Sequence, residues 1–302
     1  MRTIKTTSFI LLFVLLAACS KDNNGRIRIF AKNTVGGNSG AKVWVDPSST
    51  TAASSSASWV VGESINLNGS SYPINQDNDD NVFYLNTGDA DLPDNLYAVY
   101  PANVSSGGNN VTVTNSNGAG TVVIESLAVN YRNGGHDIIF PMVATAQRNQ
   151  MRLLFQHLTA GMRLTLTNSS AADKTLGSVK IVTYGESATA SAIGANGYSV
   201  SWAKQGPTLP GGEIGSISGD QPVGYASEML FTLKNNGTDG KVVPANNGQI
   251  SLCVPVTVNK IKTLVVTGYS TTGEQLFVKS KTLASELTVE ANKMYTIPEI
   301  LF

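Results

Sequence analysis

Met162-Arg163-Leu164-Thr165-Leu166-Thr167 alternates apolar and polar side chains without a break. A period of two sends Met and Leu to one face of a pleated strand and Arg and Thr to the other. A helix would gather its apolar positions every three or four residues, so this run is a strand. The same alternation continues in both directions. Upstream it appears in Arg26-Ile27-Arg28-Ile29-Phe30, Lys42-Val43-Trp44-Val45, Glu63-Ser64-Ile65-Asn66-Leu67 and Asn110-Val111-Thr112-Val113-Thr114. Downstream it appears in Ser178-Val179-Lys180-Ile181-Val182 and Met229-Leu230-Phe231-Thr232-Leu233-Lys234. Gly-Gly, Asn-Gly and Gly-rich pairs punctuate the runs at 36–37, 107–108, 134–135, 196–197, 211–212, 236–237 and 247–248. Such pairs permit the positive torsions of tight hairpins. Amphipathic helical runs longer than about a dozen residues are missing. Short helical turns are expected near Asp91–Asn95 and Ser169–Lys174. The pattern predicts an all-β chain built as sandwiches rather than as one open sheet.

Composition agrees. Of 302 residues, 14% are charged, against about a quarter in an average soluble protein. Ser, Thr, Asn and 29 Gly fill the difference. The formal net charge is zero and no basic run stands out, which removes the electrostatic basis for nucleic-acid binding. The length suggests two domains at roughly 150 residues each. Phe140-Pro141-Met142 closes one strand-like segment, Thr145–Gln150 reads as a polar linker, and Met151-Arg152-Leu153-Leu154-Phe155 opens another strand. The expected division is a signal segment 1–18, a first sandwich 19–147 and a second 148–302.

The N-terminus carries its own signal. Arg2 and Lys5 precede an apolar run from Phe9 to Ala18, about half the ~20 residues that span a bilayer as a helix. A secretion signal fits better than an anchor. The run ends in Leu16-Ala17-Ala18-Cys19, which resembles the bacterial lipobox. That resemblance implies cleavage before Cys19, a lipidated thiol and membrane attachment through several acyl chains. Lys21 and Asp22, close behind it, resemble loosely the surface-export signal of Bacteroidetes-type lipoproteins. With Cys19 lipidated, Cys253 is left without a disulfide partner. It lies in the apolar run Ile250-Ser251-Leu252-Cys253-Val254 and reads as a small buried hydrophobe, not a nucleophile.

Five segments resemble, in order, motifs of the fimbrillin family, the Mfa-like pilus subunits and adhesins of Bacteroidetes-type bacteria. They are Trp59-Val60-Val61-Gly62-Glu63-Ser64-Ile65, Tyr97-Ala98-Val99-Tyr100-Pro101-Ala102, Phe140-Pro141-Met142-Val143-Ala144, Leu153-Leu154-Phe155-Gln156-His157-Leu158-Thr159-Ala160 and Asn292-Lys293-Met294-Tyr295-Thr296-Ile297. Glu63 departs from the family's usual Asp, and Ser48–Ser58 is divergent. The resemblance implies two tandem transthyretin-like β-sandwiches, export as an outer-membrane lipoprotein, and assembly into a surface pilus. It implies a protease that removes the N-terminal segment with its first strand, and a neighbour's strand that fills the groove. Ile27 and Ile29 would then belong to the removable strand, unless 26–32 is a permanent strand of the first sandwich; Lys32 and secondarily Lys42 would be processing sites; and Met294, Tyr295 and Ile297 would lie either in a donor strand or in the last strands of the second domain. The expected partners are other pilus subunits, the outer membrane through the lipid, and a host or bacterial surface ligand.

Catalytic chemistry has little material. Neither His136 nor His157 has Cys or Glu at metal-ligand spacing. His157 is expected to pack within its strand, and His136, after Gly134-Gly135, to be a turn residue. No nucleophile elbow or zinc-protease run occurs, and Asp89 and Asp91 lack any sign of a cleft. Asp77-Asn78-Asp79-Asp80-Asn81 resembles the start of a calcium loop, but Val82 stands where Gly is needed and Gly88 where Glu is needed. It reads as a solvated loop. The expectation is a non-enzyme with no cofactor and no metal. The alternative is a surface glycan-binding lipoprotein of a polysaccharide-uptake system, for which Trp44, Trp59 and Trp202 would supply stacking platforms.

Overall fold

A computed structural model describes residues 25–31, 42–45, 57–59, 61–76, 83–88, 91–116, 119–132, 135–148, 152–186, 198–203, 216–219, 226–256, 260–289 and 293–302. Among these residues there is no α-helix. The first half contributes β1 Arg26–Ala31, β2 Lys42–Val45, β3 Ala57–Ser58, β4 Ser64–Leu67, β5 Ser70–Gln76, β6 Phe83–Asn86, β7 Asn95–Tyr100, β8 Val104–Ser106, β9 Asn109–Ser116, β10 Ala119–Arg132, β11 Gly135–Ile138 and β12 Met142–Gln147. The rest is β13 Arg152–His157, β14 Ala160–Asn168, β15 Lys174–Leu176, β16 Ser178–Tyr184, β17 Tyr198–Ala203, β18 Ser216–Gly219, β19 Ala226–Asn235, β20 Thr238–Asp239, β21 Lys241–Val243, β22 Gly248–Val256, β23 Lys260–Tyr269, β24 Gln275–Thr288, β25 Met294–Thr296 and β26 Ile300–Leu301. The all-β expectation holds. The two expected helical turns do not form. Asn95 already starts a strand, and 169–173 is a chain of bends in which the Asn168 side chain bonds Ser170 and Ala172. Asn and Ser side chains offer the backbone such local partners in place of helical ones.

Seven strands close into a barrel in the order β1-β13-β12-β7-β4-β5-β6. Alternation explains its core. Ile27 stands opposite Leu85, Ile29 opposite Leu153, and Ile74 opposite Leu85, and all five side chains are buried. Every neighbouring pair in the barrel is antiparallel except β1 with β13. Thr145–Gln147, expected as the start of a linker, instead continues β12 opposite Asn95–Tyr97. Its polar residues alternate with Val143, Ala144 and Ala146, which a half-covered strand accommodates.

A larger sheet follows the path β24-β23-β16-β19-β10-β11-β2-β3. Its β10 and β19 run parallel from Ser126 opposite Leu230 to Tyr131 opposite Asn235. A third sheet sets β14 between β22 and the last two strands, β25 and β26. Pairing therefore crosses position 147 in the barrel, through β13 with β1 and β12, and in the larger sheet, through β10 with β17 and β19. The long edge strand β24 carries Lys279 and Lys281, a common means of discouraging unwanted pairing at a sheet edge.

Trp59, Tyr100 and Phe155 are all buried in the core. Trp59 lies edge-on to Tyr100, with centroids 5.3 Å apart, and to Phe155 at 5.1 Å. The Tyr100 hydroxyl donates a very short hydrogen bond to Glu63 Oε2. Burial, and then the adjacent Glu63 carboxylate, push the Tyr100 phenol well above its ordinary value.

Candidate functional site: the seats of the first and last strands

β13 and β14 are joined by Leu158-Thr159 alone, and each takes one end of the described chain as a parallel neighbour. β1 lies along β13, with Arg28 opposite Arg152 and Ala31 opposite Phe155. Its other edge pairs antiparallel with β6. Ile27 and Ile29 point inward, at 0% and 2% exposure. Gly25 fixes the entry to this strand. Its φ is +65°, and a Cβ there would lie 1.7 Å from the Gly88 carbonyl oxygen. The Gly25 carbonyl accepts from both the amide and the hydroxyl of Thr87, each at 2.7 Å. The Arg26 guanidinium stacks 4.5 Å above the Tyr84 ring.

The last strands lie along β14. Met294 stands opposite Gly161, Tyr295 opposite Met162, and Ile300 opposite Leu166. Pro298 separates β25 from β26 because it brings no amide proton. The ladder continues around it. Gly161 N donates to Lys293 O at 2.8 Å, Ile297 N to Arg163 O at 2.9 Å, and Phe302 N to Thr167 O at 2.9 Å. Ile297 and Ile300 are buried. The Phe302 ring stacks on Phe277 at 4.1 Å. Thr167 donates a very short bond to Glu299 Oε1, which also accepts from Gln249 Nε2 at 2.9 Å. These contacts spread the hold on the segment across its whole length.

Beneath Met294 lies a buried polar clamp that sequence reasoning missed. Among the described residues, β22 has a backbone partner on only one side, β14. Two side chains of the β10–β11 hairpin satisfy its other edge. The Tyr131 hydroxyl donates to Ser251 O at 3.0 Å. Cys253 N donates to His136 Nε2 at 3.0 Å, and the same nitrogen lies 3.2 Å from Cys253 O. His136 is therefore no turn residue. It is fully buried in β11, directly opposite Tyr131 in β10. The legible signal was the sequence Asn133-Gly134 between two strand-like runs, a dipeptide favoured in short hairpin connections, and the β10–β11 register sets Tyr131 across from His136. Burial pulls the His136 ring down to about 4. It does the same to His157, also to about 4. His157 meets Phe140 edge-on at 5.7 Å, in the packing role expected for it. Burial pushes the Cys253 thiol up to about 12, so it is a poor nucleophile, and its Sγ touches Met294 Sδ at 3.4 Å.

The remaining expected residues divide by position. Cys19, Lys32, Asp89 and 77–81 lie outside the described residues. Lys42 opens β2 and pairs with Ser58, a less accessible setting for a protease than a loop. Trp59 is a core side chain, only 4% exposed, and offers no stacking platform to a glycan. Asp91 forms an exposed ion pair with Arg148 at 3.1 Å. Among the described residues, no group of three or more His, Cys, Asp and Glu could hold a metal, and no helix is long and apolar enough to cross a membrane.

No protein-family model matches the chain, and no curated protein does. Among solved structures, it is similar to a "putative cell adhesion protein" from Bacteroides ovatus, with 11% identity, a TM-score of 0.42, and 92% of each chain covered. A protein of the same description from Bacteroides uniformis shows 13% identity and a TM-score of 0.36, covering 92% of this chain and 94% of that one. A third, from Bacteroides fragilis, shows 12% identity and a TM-score of 0.30, covering 90% and 91%.

Proposed function

We propose that this chain is a fimbrillin-like structural and adhesive subunit of a surface pilus. It is exported as a lipoprotein through Cys19 and joined to neighbours when a protease removes its first strand. The observation that carries this reading is the position of β1. A strand of six residues closes the barrel between β6 and β13, and two inward isoleucines anchor it. Its loss would open a slot with an unpaired backbone edge on each side and an apolar floor between them. A strand from another subunit can fill such a slot by β-augmentation. Lys32, immediately after Ala31, is the proposed cleavage site. The proposed donor is the segment with Met294, Tyr295 and Ile297, whose own seat is already a parallel one.

The energetics demand a preformed slot. Two buried side chains of isoleucine size contribute roughly 3–6 kcal/mol. Ordering a six-residue strand costs roughly 6–12 kcal/mol. Burial alone does not cover this cost, so backbone hydrogen bonds to two waiting edges supply the difference.

The test is the protein on its native cell surface. Mass spectrometry is expected to find a mature N-terminus after Lys32, and electrophoresis SDS-resistant ladders that vanish when 293–302 are deleted. A mature N-terminus at Cys19 with acyl mass, and no ladders, would overturn the processed-subunit reading.

A further inference from the structure

The seat of the last strand contains an unbroken line of contacts between the two buried imidazoles. His136 touches the backbone of Cys253. The Cys253 sulfur touches Met294. Met294 fills the space above Gly161, where a Cβ would lie 2.5 Å from its Cε and 3.5 Å from Phe140 Cε1. Phe140 in turn packs against His157. We propose that this line is an acid-gated latch, in which proton uptake by His136 and His157 unseats Met294 and frees Lys293–Phe302 from β14.

The His136 bridge is frustrated. Its Nε2 faces both the N–H and the C=O of Cys253, and one nitrogen serves only one of them at a time. Nδ1 has no hydrogen-bond partner among the described residues. In the neutral ring, Nε2 can accept from Cys253 N. Once protonated there, it can only donate to Cys253 O. The amide of Cys253 then loses its acceptor in a dry site, and an imidazolium is left buried. Both costs push β22 away from β11, and Cys253 carries the floor beneath Met294. The surrounding charges balance unevenly. Burial opposes the proton most; the bond the charged ring donates to Cys253 O, and then Asp137, on the same strand and paired with Arg132 at 3.4 Å, favour it, and Arg163 on β14 opposes it. Tyr131 on β10 and Cys253 on β22 are the other titratable groups facing the ring. At His157 burial dominates, and a charge there would disturb Phe140, the wall of the Met294 notch.

Release from β14 is a precondition for donating the segment to another subunit. The latch therefore rests on the proposed role of 293–302 and adds a control to it. Partner exchange would be favoured in acidified surroundings and suppressed near neutrality.

The full chain is treated with 4,4′-dithiodipyridine, which labels thiols in acid, at pH 7 and pH 4. Labelling at the Cys253 peptide is read by mass spectrometry against a urea-unfolded sample at the same pH. The normalised rate is expected to rise at least tenfold at pH 4 while circular dichroism keeps the sheet signal. His136→Gln, which keeps a polar group without titrating near pH 4, is expected to remove most of the rise. Hydrogen exchange on the unaltered chain supplies a second reading that depends on no variant. After correction for intrinsic rates, 293–302 is expected to exchange at least tenfold faster at pH 4 while 153–157 stays protected. Cys253 remaining shut at pH 4, or 293–302 opening only together with the barrel, would overturn the latch. Acid-gated opening without ladders would sink the exchange role alone. Ladders that form equally well at pH 7 with Cys253 shut would sink the latch alone.

Discussion

Gly161 and Met294 fit as notch and knob. They stand opposite each other in parallel strands, and the missing side chain of Gly161 is the space that the Met294 thioether fills. A flexible side chain thus closes the last strand onto the sheet, over the chain's buried thiol.

Gly161→Ala should therefore loosen the strand without unfolding the protein. The clash falls on the mobile end of Met294, so the cost belongs to the low end of the overpacking range, about 1 kcal/mol. A small drop in the urea midpoint, with faster labelling of Cys253 at pH 7, is the expected result. Unchanged labelling would show that Met294 does not guard the thiol.

Acid should weaken the fold. His136 and His157 are held near 4 in the folded chain against an ordinary value of 6.5. Between those values the unfolded chain binds more protons, so stability is full above pH 6.5 and declines as pH falls toward 4. At ~1.4 kcal/mol per pH unit, each buried ring is worth about 3 kcal/mol across that window. Urea melts at pH 7, 5.5 and 4 measure this, and His136→Gln should remove its share of the slope.

Ile27→Ala should cost about 2–4 kcal/mol, since it empties a fully buried position opposite Leu85. The damage should concentrate in β1. Hydrogen exchange is expected to rise at 26–31 and along β6, with β14 and β22 unchanged. Uniform loss of protection would argue against a separable first strand.

Tyr100→Phe should cost about 1–2 kcal/mol, because it removes the phenol that donates to Glu63. The ring stays against Trp59, so Trp fluorescence should hardly move while the thermal midpoint falls. A large fluorescence change would show that the hydroxyl, and not ring packing, positions Trp59.

How much could be read from the sequence varied with distance along the chain. Period-two runs marked β1, β2 and β4 to within a residue and the central parts of β9, β14, β16 and β19, because strand alternation is a local consequence of pleating. Cys253 read as buried for the same reason, its neighbours being apolar. Thr145–Gln147 was misread because local polarity does not reveal whether a neighbouring strand waits to pair. His136 was misread because its partner lies 117 residues away.

From the sequence alone came the β class, the strand positions and the alternation that turns Ile27, Ile29 and Leu164 inward, all set by backbone geometry over a few residues. The tertiary structure decided which edges meet. It placed β1 in parallel beside β13, seated Met294 in the notch of Gly161, and set His136 against the free edge of β22. Those choices depend on loop closure and on which unpaired backbone groups must be satisfied across long separations, and a local pattern does not encode either.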